Sequence, residues 1–82
     1  MKLIYTEEFK GDLKKIRDKK IQTRIKKIIQ KIIDNPEIGK PLGYELFPLR
    51  SIRIPPFRVL YEFKGDIIIL HKFEHRKKVY KT

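Results

Sequence analysis

Cysteine is absent from the 82 residues, so neither disulfides nor thiolate metal sites hold the fold, and two histidines are too few for an ordinary zinc site. Long apolar runs are also missing. The longest is the four residues 67–70 (IIIL), against the roughly 20 that a membrane-spanning helix needs, and the N-terminus lacks the apolar segment of a signal peptide. These absences lead to the expectation of a soluble, cytoplasmic protein with no membrane role and no metal or other cofactor. Acidic residues are scarce as well. Ten Asp and Glu face 21 Lys and Arg, which leaves a formal charge of +11. At this length the expectation is one domain, residues 1–82, with a modest core, because so short a chain buries only about 60% of its unfolded surface.

The positive charge requires a polyanion or an acidic protein partner, and its two kinds are distributed differently. Eight of the 15 lysines fall between Lys10 and Lys31, whereas four of the six arginines, Arg50, Arg53, Arg58 and Arg76, lie in the second half. Lysine is a flexible point charge suited to a general phosphate-attracting surface, while the planar fork of arginine grips individual phosphates. A diffuse steering surface on the helices and a specific site on the sheet are therefore expected.

The densest pattern spans residues 57–80. Phe57, Val59, Tyr61 and Phe63 alternate with Arg58, Leu60 and Glu62, the period of a strand, and residues 67–73 form a second β-branched and aromatic run. Between them Lys64-Gly65-Asp66 reads as a tight hairpin. The second run is apolar on both faces, as in a strand covered on both sides, and is expected to be central. It gives way to the cationic cluster of His75, Arg76, Lys77 and Lys78, with Tyr80 just beyond.

Before these strands, residues 2–6 (KLIYT) have the make-up of a short first strand, and Thr6 looks like a helix N-cap followed by Glu7 and Glu8. Phe9, Leu13 and Ile16 continue at helical spacing. A stronger helix over 19–33 carries Ile21, Ile25, Ile28, Ile29, Ile32 and Ile33 as one apolar stripe, with Asp18 able to cap it and Asn35-Pro36 to stop it. Residues 37–43 read as a connection, 44–49 are ambiguous because of Pro48, and 50–54 (RSIRI) form a better strand that Pro55-Pro56 ends. The expected fold is α+β: an N-terminal strand, a two-helix hairpin, then an antiparallel meander of three or four strands with the helices on one sheet face.

The Lys-rich helical hairpin, the strand RSIRI, the FRVLY segment, the hydrophobic strand and the closing HRKKVY, in this order, resemble the RelE/ParE superfamily of bacterial and archaeal toxin–antitoxin toxins. The resemblance covers nearly the whole chain, and the RelE branch is the favoured one. It implies a ribosome-dependent endoribonuclease, an mRNA interferase that inhibits translation by cutting messenger RNA in the A site. The ParE branch would instead imply a DNA gyrase inhibitor. A non-catalytic RNA-binding domain is the third reading. The resemblance also implies an acidic, RelB-like antitoxin that covers the basic surface in a toxin–antitoxin hetero-oligomer.

Cutting RNA by internal transfer needs charge stabilisation on a pentacoordinate phosphorus and proton transfers to and from oxygen. By analogy with the RelE pattern, Arg58 and Arg76 bind phosphate and stabilise the transition state, Arg50 and Arg53 position the RNA backbone with Lys77 and Lys78, and Tyr80 stacks on or orients a base and assists proton transfer. Where some members carry lysines before the hairpin this chain has arginines, which stay protonated and make poor bases. His75 is then the local candidate for the base. The competing structural role for Arg58 is an ion pair with Glu62 or Glu74 across the hairpin. His71, within a strand, reads as packed or hydrogen-bonded, and Tyr5 and Tyr61 as packing residues.

Overall fold

The structure, a computed structural model, describes residues 2–43 and 48–75. Its first strand, Lys2–Tyr5 (β1), ends at Thr6, whose backbone stays extended while its Oγ1 accepts a hydrogen bond from the Phe9 N–H at 3.1 Å. That is the N-cap geometry expected of it, and Glu7 and Glu8 occupy the first turn of helix α1, Glu7–Lys14. Asp18 caps helix α2, Lys19–Asp34, by accepting from the Lys20 N–H at 2.8 Å. Of the isoleucine stripe, Ile25, Ile29 and Ile32 are buried, and Ile21, Ile28 and Ile33 pack around them. Asn35 ends the helix, since Pro36 behind it disfavours helical geometry.

The remaining strands are Lys40–Pro41 (β2), Leu49–Ile54 (β3), Phe57–Lys64 (β4) and Ile67–His75 (β5). They build one sheet in the order β1-β5-β4-β3-β2, antiparallel except that β1 runs parallel to β5. The α+β architecture is the expected one, with two differences. The middle strand is β4, while β5 lies between β4 and β1; pairing along both edges makes β5 interior without making it central. The two residues of β2 fall in the segment read as a connection, because two residues carry no periodicity. At the β4–β5 hairpin Lys64 pairs with Ile67, and Gly65 takes the positive φ of 62° that the tight turn needs.

One face of the sheet closes against the helices. Ile54, Val59, Tyr61, Ile68, Leu70 and Phe73 meet Phe9, Ile25, Ile29 and Ile32 there, with α1 against β5 and α2 reaching β3. Tyr61 is a packing residue with a second task. Its buried hydroxyl accepts from the Gly39 N–H at 2.8 Å and donates to the Pro36 carbonyl at 2.7 Å, tying the segment after α2 to the middle strand. A Cβ at position 39 would stand 2.5 Å from that hydroxyl, so the close approach requires glycine. Burial raises the Tyr61 phenol above its ordinary 10.0, although the Gly39 hydrogen bond and the Arg50 charge pull the other way. Among the described residues no helix is long and apolar enough to cross a membrane.

Candidate functional site

Alternation on β4 turns Arg58, Leu60 and Glu62 away from the helices, and directly paired residues on neighbouring strands share their face. The helix-free face therefore reads in rows from β3 through β4 to β5. Arg53, Arg58 and Glu74 form the first, Ser51, Leu60 and Lys72 the second, and Leu49, Glu62 and Ile69 the third.

The first row is electrostatically unusual. Two arginines stand directly opposite one another, which puts like charges on Cβ atoms about 4.5–5.5 Å apart and is destabilising unless something offsets it. Glu74 offsets part of it through Nη2 of Arg58, at 3.4 Å, so the structural pairing weighed for Arg58 exists, with Glu74 rather than Glu62 as the partner. It does not use the whole guanidinium. The Arg58 side chain is only 19% exposed, and its Nε is buried without a hydrogen-bond partner among the described residues. A buried donor left unpaired costs about 1–3 kcal/mol. Arg53 beside it is exposed and presents its charge to the same space.

Other residues expected at the site are elsewhere. Arg50 pairs with Tyr61 in register and so stands on the helix-covered side, where its Nη1 donates to the carbonyls of Gly39 at 2.9 Å and Glu37 at 3.2 Å. It braces the segment that Tyr61 ties down and is not beside Arg53 and Arg58. His75 pairs with Phe57, meets that ring edge-on at 5.2 Å, and lines a cleft with Glu8, Asp12 and Lys72, so the register turns it away from Arg58. His75, the candidate base, therefore stands on the opposite side of the sheet from Arg58. Arg76, Lys77, Lys78 and Tyr80 lie outside the described residues, as does Tyr44.

Three residues not counted as site residues from the sequence do face the same side. The pairing steps from Tyr61↔Leu70 to Leu60↔Lys72, so β5 carries one extra residue, His71, between two registered pairs. Because of this bulge, Lys72 and His71 both project to the helix-free face. His71 is hydrogen-bonded, as expected of it, and its partner is Glu62, with Nε2 at 3.1 Å from Oε1. Lys72 reaches Glu8 of α1 at 3.4 Å and Glu74 at 4.0 Å. Thr6 steadies the bulge, its hydroxyl donating to the carbonyls of Leu70 at 2.9 Å and His71 at 3.1 Å. A signal for the bulge was present in the spacing: Leu70 and Phe73 are both core residues three apart, which unbroken alternation forbids.

Among the described residues, no group of three or more histidine, aspartate and glutamate side chains is arranged to hold a metal ion. What the face offers is an arginine pair with an unsatisfied donor, a lysine, and a carboxylate–imidazole pair two to four residues along the same strands.

The chain has recognisable relatives. Among curated proteins no sequence matches it significantly. In fold it is similar to the toxin–antitoxin complex RelBE2 from Mycobacterium tuberculosis, with a TM-score of 0.78 at 23% identity over 92% of this chain and 96% of that one. A RelB–RelE antitoxin–toxin complex from Methanococcus jannaschii gives 0.72 at 26% identity over 94% of each chain. A copper-bound mutant toxin from Helicobacter pylori gives 0.71 at 17% over 98% of this chain and 99% of that one. The family model described as the ParE toxin of the type II toxin–antitoxin system, parDE, matches residues 3–80. By that match across nearly its whole length, with a fold shared by RelE toxins, this chain belongs to the ParE toxin family within the RelE/ParE superfamily and is the toxin of a toxin–antitoxin system.

Proposed function

We propose that this toxin is a ribosome-dependent endoribonuclease that cuts messenger RNA in the A site, the 2′-hydroxyl of one nucleotide attacking its own 3′-phosphate. The observation that carries the reading is the buried Nε of Arg58, without a partner among the described residues, on a helix-free face where Arg53 stands directly opposite. A guanidinium held this way is already desolvated and short of one acceptor, which favours a dianionic phosphorane more than the singly charged phosphodiester that precedes it. Arg53 holds the RNA backbone. Arg76, Tyr80, Lys77 and Lys78 keep the roles that the family resemblance assigns them, phosphate contact for the cations and base stacking for the tyrosine. The exposed lysines of α2 steer the protein toward ribosomal RNA.

The proposed inhibitor is an acidic, RelB-like antitoxin in a toxin–antitoxin hetero-oligomer. Support comes from the +11 charge and from the M. jannaschii neighbour, which is a RelB–RelE complex. Its acidic side chains would meet the Arg53–Arg58 row, where they compete with RNA for the same donors.

A second reading, gyrase inhibition, is favoured by one observation: the matching family model is that of ParE toxins. It is a binding activity that needs no proton transfer. Mapping messenger-RNA ends on ribosomes programmed in vitro separates the two. New ends within the A-site codon, lost with Arg58→Ala and with Arg76→Ala, are expected; an intact message together with inhibited supercoiling by gyrase would put the second reading first.

A further inference from the structure

We infer that His71, oriented by Glu62, is the proton acceptor of this site; the inference rests on the RNA-cleavage reading and names a base that His75 is not positioned to supply. The two residues face the same side of the sheet as Arg58, Glu62 by the alternation of β4 and His71 through the bulge in β5. The extra residue in β5 is His71 itself, and it is this insertion that lets the imidazole and Lys72 stand side by side on the helix-free face while Leu70 and Phe73 stay in the core. β-Bulges re-aim single side chains in this way, often beside active sites. The bulge is fastened from behind by the Thr6 hydroxyl on the Leu70 and His71 carbonyls, so the backbone that carries the ring is tied to the start of α1.

The carboxylate determines which ring nitrogen is available. Glu62 Oε1 lies 3.1 Å from Nε2 and, as a carboxylate, can only accept, so Nε2 carries the hydrogen. In the neutral ring Nδ1 is then the bare nitrogen, and no protein group among the described residues donates to it. The side chains are 34% and 19% exposed, leaving the histidine reachable and the glutamate mostly sheltered. Glu62 is four residues from Arg58 on β4, about 13 Å along the strand, and Lys72 pairs with Leu60 between them, so the imidazole and the guanidinium stand on one face within the span of a dinucleotide.

In the step proposed, Nδ1 of His71 takes the 2′-hydroxyl proton as that oxygen bonds to phosphorus. The phosphorus–5′-oxygen bond breaks, water gives the leaving oxygen its proton, and Arg58 holds the non-bridging oxygens. The products are a 2′,3′-cyclic phosphate and a 5′-hydroxyl. His71 is thus catalytic and Glu62 a positioning residue.

The test uses the full chain on ribosomes programmed with a defined message. His71→Ala is expected to slow cleavage by about 100-fold or more and Glu62→Gln by about tenfold, with both variants still folded by circular dichroism. Added imidazole is expected to restore cleavage by His71→Ala, and not by Arg58→Ala; a structural role for the ring would give no such rescue. Wild-type cutting with His71→Ala within twofold of it, or a slow variant that imidazole leaves unchanged, overturns the assignment while leaving the ribonuclease reading intact. A wild type that cuts nothing overturns both.

Discussion

On β4, Val59 and Tyr61 turn toward the helices while Arg58, Leu60 and Glu62 turn away, so one strand serves two surfaces filled by opposite rules. Toward the helices the buried residues are apolar, and the buried Tyr61 hydroxyl has both its hydrogen bonds made. Away from them, two arginines oppose each other and a buried Nε goes unpaired among the described residues. Natural cores pair their buried polar groups, so the second pattern indicates a surface shaped for something that arrives from outside. The helix-covered face supplies stability, and the helix-free face gives some of it up for a charged site.

The division can be broken by substitution. Ile32→Ala on the covered face is expected to cost about 2–5 kcal/mol in urea unfolding, because its side chain is completely buried between helix and sheet, and to leave cleavage per folded molecule unchanged. Gly39→Ala drives a methyl group into the Tyr61 hydroxyl and is expected to cost about 1–3 kcal/mol. Tyr61→Phe strands the Gly39 N–H and the Pro36 carbonyl, for a similar or slightly smaller loss. It also has a pH signature. The folded phenol holds its proton to higher pH than the unfolded one, so its contribution is complete below 10.0 and lost as pH rises through the folded value; the gap between wild type and Tyr61→Phe should therefore narrow in alkali.

The smallest effect on stability is expected on the other face. Arg53→Ala should change unfolding by no more than about 0.5 kcal/mol, since it is exposed and relieves repulsion with Arg58. The same change should reduce the salt dependence of single-stranded RNA binding by about 0.7 in logarithmic slope, one phosphate contact's worth. If Arg53→Ala destabilised the protein as much as Ile32→Ala, the helix-free face would be a second core and the division would fail.

How much of this was legible in the sequence follows the same line. The covered face was, because burial writes a period: the isoleucine stripe of α2, the alternation of β4, the Thr6 and Asp18 caps and the Gly65 turn all stand where pattern and capping chemistry put them. The site was legible only in part. Arg53 and Arg58 share a face, but Arg50 and His75 face the other side, because register is set by pairing partners that charge patterning does not reveal. One inserted residue at His71 changed which neighbours project together. The parallel run of β1 was equally hidden, since four residues of extended chain carry no direction.

That first strand has a consequence for how the molecule is made. Lys2 pairs with Ile67 and Tyr5 with Leu70, so β1 leaves the ribosome some sixty residues before the strand its backbone must pair with. The caps and helical turns of α1 and α2 need only neighbours a few residues away and can form early, whereas the sheet edge closes after β5 has been made. The sheet that carries Arg53 and Arg58 therefore gains its outer strand only once residues 67–70 exist, and until then β1 is an unpaired edge.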